Sequence, residues 1–270
     1  MRRLTTTTFM LWGISMMVPG SAIGLEASPQ ATAFLVQGAL QPSGSSMPMY
    51  KPRRDSIPKG RTEGPARGSG GDAPVVQVLA PDHVGFTRKK DPALYWYLSS
   101  VTAKPIEFTL MDTRGIKPVI ETRIPAPAQP GVQVVRLKDF GQTLEPGVQY
   151  KWYVSVILDP ESPSGSIIAG GTIELVPPLD GMLFFQPPGG PDDKVGHLAY
   201  VGLWYDAIQE VSEQIEAAPN NKSLREQRAC LVSQVRLPDV AQYDLSRIGG
   251  KLPSQCEPPP LKPDPLSTTR

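Results

Sequence analysis

Between residues 75 and 176, apolar and polar positions alternate with a period of two in seven short runs. These are Val75–Leu79, Ala93–Leu98, Ile106–Met111, Pro118–Ile124, Val132–Leu137, Val148–Leu158 and Ile167–Val176. Turn-forming residues separate them and no helical period intervenes, so the pattern predicts a β-sandwich or barrel. Alternation assigns Leu94, Trp96 and Leu98, then Ile106, Phe108 and Leu110, to the inner face. Trp152, Val154 and Val156, with Ile167, Ile173 and Leu175, complete that face. Burying each large side chain stabilises the fold by roughly 1.5–3 kcal/mol. After residue 193 the period becomes helical: Leu198, Val201, Trp204/Tyr205, Ile208, Val211 and Ile215 form one stripe. Pro219-Asn-Asn221 ends that helix, and Ser223-Leu-Arg-Glu226 has the pattern of a capping box opening a second helix through Arg236. The second stripe is Leu224, Leu231 and Val235, interrupted by Arg228, and a short third helix is expected from Pro238 to Gly249.

The longest run follows a turn at Pro146-Gly147, and Leu144, Pro146-Gly147 and Tyr150 are spaced as in a tyrosine corner. A seven-stranded, antiparallel immunoglobulin- or fibronectin-III-like β-sandwich over 75–176 is therefore expected, followed by a helical hairpin over 194–250. Tyr150 should be buried, its hydroxyl bonded to the backbone near Leu144–Pro146, with Trp96, Trp152 and Trp204 as structural anchors.

Composition divides the rest of the chain. Residues 25–74, 177–193 and 251–270 are rich in proline, glycine and charge, and read as a disordered linker, a connection and a loose tail. The connection carries an apolar island, Met182-Leu-Phe-Phe185, expected to dock on the sandwich. Arg2-Arg3, the apolar stretch Phe9–Val18 and Ala22-Ile-Gly24 read as a cleaved signal peptide over 1–24. The apolar stretch is about half the roughly 20 residues a spanning helix requires. The expected destination is the periplasm or cell envelope, with no integral membrane segment after cleavage. A net charge of +1 with 20% charged residues argues against a nucleic-acid partner.

Catalytic constellations are not evident. His83 and His197 lack a nearby ligand partner, so no zinc site is expected. Nucleophile elbows, phosphate loops and dinucleotide motifs are missing. No cofactor or catalytic residue is assigned. Of Asp192 and Asp193, one is expected to cap the first helix; Asp206 should complement a helix dipole.

The order of motifs resembles the exported cyanobacterial proteins of domain-of-unknown-function family 928. The matching pieces are Arg67-Gly-Ser-Gly-Gly71, Leu94-Tyr-Trp-Tyr97, Pro146-Gly-Val-Gln-Tyr-Lys-Trp-Tyr153 and Gly202-Leu-Trp-Tyr-Asp-Ala207, spread over residues 67 to 250. The resemblance implies no catalytic residues. Ala73 and Leu158 stand where many members have cysteines.

Two features remain open at this level. Cys230 and Cys256 either close a disulfide or stay as thiols, with Cys230 expected to be exposed on its helix. With Trp96 inward, Tyr95 and Tyr97 face outward as an aromatic strip. That strip either binds a sugar ring or partner side chain, or is covered by the helices through Trp204 or Tyr205. The expected function is non-enzymatic binding of an envelope protein or polysaccharide. A carbohydrate-active enzyme or accessory module using paired carboxylates is the alternative, and a periplasmic sensor or regulatory subunit the second.

Overall fold

The computed structural model describes residues 47–53, 61–62, 73–159, 161, 165–177 and 192–258. The expected signal segment, the apolar island Met182–Phe185 and the family-like stretch Arg67–Gly71 lie outside these residues. Among the described residues, eight strands form two sheets. The smaller holds β1 (Val76–Val78), β3 (Ala93–Leu98) and β6 (Gly131–Arg136) in the order β1-β3-β6. The larger has the order β2-β8-β7-β4-β5, from β2 (Gly85–Thr87), β4 (Ile106–Asp112), β5 (Pro118–Ile124), β7 (Gln149–Val156) and β8 (Ile167–Leu175).

All pairings are antiparallel except β2 with β8, which run parallel from Gly85↔Ile173 to Thr87↔Leu175. The sequence-based count of seven is therefore corrected to eight, and the all-antiparallel expectation to a mixed sheet. The missing strand is Gly-Phe-Thr, too short to show any alternation. All of the residues assigned to the inner face are buried. Tyr150 is buried too, and its hydroxyl accepts the Glu145 amide at 3.2 Å.

The helical part differs more. In place of a hairpin the described residues hold four α-helices: α1 (Lys194–Tyr200), α2 (Trp204–Ala217), α3 (Lys222–Gln234) and α4 (Pro238–Ser246). Asp193 caps α1 by accepting the Gly196 amide. The first expected helix is broken at Gly202, whose φ of +79° lies in the left-handed region. Asn221, rather than Ser223, caps α3, accepting the Leu224 amide at 3.3 Å. Arg228 interrupts the stripe because it is itself a buried partner. It forms a two-pronged pair with the fully buried Asp244 of α4 at 2.7 and 2.7 Å, and Arg225 donates to the same carboxylate at 2.9 Å. A buried carboxylate needs this degree of pairing, because an uncompensated charge there is strongly destabilising.

Helix α2 is fastened to the sheets through polar groups in its first two turns. The Trp204 indole donates to Leu79 O at 2.8 Å. The Tyr205 hydroxyl accepts from the Trp152 indole at 2.9 Å and donates to Thr172 O at 3.0 Å. Asp206 accepts the Arg88 amide at 2.8 Å and the Thr87 hydroxyl at 3.2 Å, and Gln209 accepts the Ala93 amide at 3.1 Å. Tyr205 fits because two glycines leave space for it. A Cβ on Gly85 would lie 2.5 Å from its ring, and one on Gly171 would lie 3.3 Å from its hydroxyl and 2.5 Å from the Ala80 methyl.

Tyr205→Phe should strand the buried Trp152 N–H and lower stability by about 1–3 kcal/mol in urea unfolding. Tyr153→Phe on the outer face should stay within about 0.5 kcal/mol of the parent.

Burial raises the Asp206 pKa above its ordinary 3.8, against the opposing bonds from Arg88 and Thr87. The folded protein thus holds a proton that the unfolded chain has released, and stability should fall as pH rises from 3.8 through the raised value. Asp206→Asn should flatten that slope in urea unfolding measured across the acid range.

Candidate functional site

The sequence-based binding strip is covered. Tyr95 and Tyr97 are 2% and 8% exposed. Tyr95 shares a small pocket with Ser212 and Ile215 of α2 and Tyr243 of α4. Tyr97 packs on Tyr243 with ring centroids 5.6 Å apart. The outward face of β3 is therefore an internal face, closed by α2 and α4. Trp204 and Tyr205 point elsewhere, Trp204 toward Leu79 and Tyr205 toward Trp152.

A different region gathers polar groups around a concave space. It begins with the segment 47–53, which the sequence reading placed in a disordered linker. The structure lays it along α1 and α3. The Lys51 amide donates to Ala199 O at 3.1 Å, the Tyr50 amide to Gln234 Oε1 at 2.8 Å, and Gln234 Nε2 donates to Pro48 O at 2.9 Å. Tyr50 is buried edge-on against Trp204, with centroids 4.8 Å apart.

From the same linker, the Arg61 guanidinium donates to the carbonyls of Ala80 and Val235 at 2.9 Å each and of Arg236 at 3.0 Å. Thr62 exchanges two backbone bonds with Gly170 of β8. These residues lack periodicity because they are held one by one, by side chains and isolated backbone pairs, and not by a regular element.

The Tyr50 hydroxyl lies 2.8 Å from His83 Nε2, and His83 Nδ1 lies 3.0 Å from Asp82 Oδ1. A carboxylate only accepts, so in the neutral imidazole Nδ1 carries the proton and Nε2 accepts from the phenol. This chain of tyrosine, histidine and aspartate borders a cleft of about 400 Å³. Arg61, Val235, Arg236, Gln255 and Glu257 form its other walls. Arg236 is the one non-glycine residue with positive φ (61°) among the described residues, so local strain marks the turn between α3 and α4 at the cleft edge.

Burial, together with nearby Tyr205 and Asp82, pushes the Tyr50 pKa well above the usual phenol range. The hydroxyl is thus held neutral as a donor to His83. A site that activated a tyrosine nucleophile would lower that pKa instead.

The far wall is covalently placed. Cys230 of α3 and Cys256 form a disulfide, Cα atoms 4.8 Å apart, which sets Gln255 and Glu257 against the cleft. Cys230 is 1% exposed, correcting the expectation of a surface cysteine. Helix α3 is enclosed beyond its stripe because the N-terminal segment and residues near Cys256 pack on its other side. Of the expected loose tail, residues 251–258 are described, and they include a defined 3-10 turn at Ser254–Cys256. No helix among the described residues is long and apolar enough to cross a membrane.

Reduction, or Cys256→Ser, should remove about 3–4 kcal/mol for a loop of 26 residues and lower the melting temperature. Thermal unfolding with and without dithiothreitol measures this.

Sequence reasoning missed Tyr50, Arg61, Gln234 and the role of His83. The available signal was an aromatic residue set between prolines, Pro48-Met-Tyr-Lys-Pro52, within an otherwise polar stretch. No curated protein matches the chain. A family model for Domain of Unknown Function (DUF928) matches residues 60–245, spanning both sheets, all but the end of the fourth helix and most of the cleft. The chain therefore belongs to the DUF928 family.

Proposed function

We propose that this chain is an exported, non-enzymatic binding protein of the cell envelope, and that the cleft holds a protein segment or a polysaccharide. The observation that carries this reading is how the cleft is built. Five separate stretches of chain, around Tyr50, Arg61, His83, Val235 and Glu257, converge on one space, one of them fixed by a disulfide. A volume of about 400 Å³ with apolar walls and a few convergent polar groups is the usual form of a ligand site. Arg61 and Arg236 supply donors, Asp82, Glu257 and Gln255 supply acceptors, and Met49, Pro52 and Val235 supply apolar surface. The basic start, the apolar Phe9–Val18 and the disulfide support an oxidising compartment outside the cytoplasm. The Tyr150 hydroxyl bonded at Glu145 supports an immunoglobulin-like reading of the sheets, with β2 as an added strand.

A second reading, glycoside hydrolysis, draws on Asp82 and Glu257 lining one cleft. It requires turnover of a polysaccharide that Asp82→Asn and Glu257→Gln abolish; binding without turnover excludes it.

The test of the binding reading uses the mature protein against a glycan array and an envelope extract. Arg236→Gly suits the backbone, since glycine adopts positive φ without penalty. It should leave the melting temperature within about 2 °C, because relief of strain offsets the lost side chain. It should weaken the captured ligand about tenfold. Unchanged affinity in this variant and in Glu257→Gln would remove the cleft from the function.

A further inference from the structure

The segment 47–53 is seated as a ligand is seated. One side-chain amide, Gln234, holds two main-chain groups of the segment, accepting the Tyr50 N–H and donating to Pro48 O. A third main-chain bond joins the Lys51 amide to Ala199 O. Side chains then take separate partners. Tyr50 reaches His83 and Trp204, the Lys51 ammonium lies 3.7 Å over the Tyr200 ring, and the Arg53 guanidinium lies 4.9 Å over Phe86. Main-chain bonds that any sequence can make, with pockets for particular side chains, are how folded domains bind extended peptides.

Gly202 completes the floor: a Cβ there would lie 2.9 Å from Lys51 O and 2.7 Å from Arg53 Cγ. Every receiving group, namely Phe86, His83, Ala199, Tyr200, Trp204 and Gln234, lies within the region 60–245 that matches the family, whereas the segment lies before it. The matched region thus supplies the groove, and the occupant comes from the chain that precedes it. Nor does the occupant fill it: a cavity of about 310 Å³ remains beside Met47, Met49 and Tyr200.

We propose that the groove between α1 and α3 is a binding site for an extended segment of a partner protein, bearing tyrosine followed by a basic residue. Residues 47–53 occupy it in cis. This rests on the binding reading above and names a partner class for the side of the site opposite the cleft. A tethered occupant competes at an effective concentration on the order of millimolar, so a partner gains access only by displacing it.

The test uses the full-length mature chain and a fluorescent heptapeptide of sequence Met-Pro-Met-Tyr-Lys-Pro-Arg. Tyr50→Ala empties the tyrosine recess, and Lys51→Pro separately removes the amide bonded to Ala199. In either variant the peptide should bind saturably, at least tenfold tighter than to the parent chain. A peptide with alanine for tyrosine should not saturate. Gly202→Ala added to either variant should abolish binding.

No saturable binding to folded variants would overturn the proposal. So would unfolding of both variants, which would make the segment a core element. Concentration-dependent dimers without peptide binding would overturn it in favour of exchange between copies. Peptide binding is expected to survive Arg236→Gly, so failure of the cleft reading and failure of the groove reading give different results.

Discussion

The position of Tyr205 is the constraint on which the rest depends. Its ring occupies a notch that exists only because residues 85 and 171 are glycines, and its hydroxyl joins an indole donor on β7 to a carbonyl on β8. Once that ring is seated, the neighbouring residues of α2 have no freedom. Trp204 must meet Leu79, Asp206 must meet the end of β2, and Gln209 must meet the start of β3. Each of these bonds satisfies a buried polar group, which would otherwise be costly. Helix and sheets therefore form one body through a line of polar contacts set in an apolar core. The orientation of α1, α3 and the cleft follows from it.

Much of the β structure was legible because alternation is a physical record of burial on one face. Phe108, Trp152, Val154 and Ile173 could be assigned to the interior from position alone, and all are buried. What escaped had other origins. β2 is too short to alternate, and its parallel pairing with β8 depends on residues nearly ninety positions away. Tyr95 and Tyr97 alternate correctly, yet the face they point to is also internal, since α2 and α4 cover it. Cys230 and Arg228 looked wrongly placed on α3 because a single-stripe pattern cannot describe a helix buried on several sides. The cleft was the least legible part. Arg61 earns its place by capturing three carbonyls, and Tyr50 by one hydroxyl and one amide, contacts that leave no period in a sequence.

The cleft and the groove lie on two sides of the same seven residues. Met49, Tyr50 and Pro52 line the cleft, while the main chain of Pro48, Tyr50 and Lys51 is bonded into the groove. The Tyr50 phenol joins the two sides, since it packs on Trp204 beneath and donates to His83 at the cleft. A change on one side thus reaches the other through Tyr50 and through Gln234, which lines the cleft and holds the segment. Burial keeps that phenol neutral, which makes the link a matter of position and not of charge.

The bond between the Tyr50 amide and Gln234 spans 184 residues of sequence. During synthesis, Tyr50 leaves the ribosome long before the glutamine that holds it exists. At about 5–20 residues per second, that interval lasts on the order of ten seconds or more. The two sheets can assemble within the interval, but the N-terminal segment and the disulfide must wait for α3 and Cys256. Topology therefore sets one limit on the order of assembly: the stretch of chain that is made earliest cannot be seated until α3 has been made.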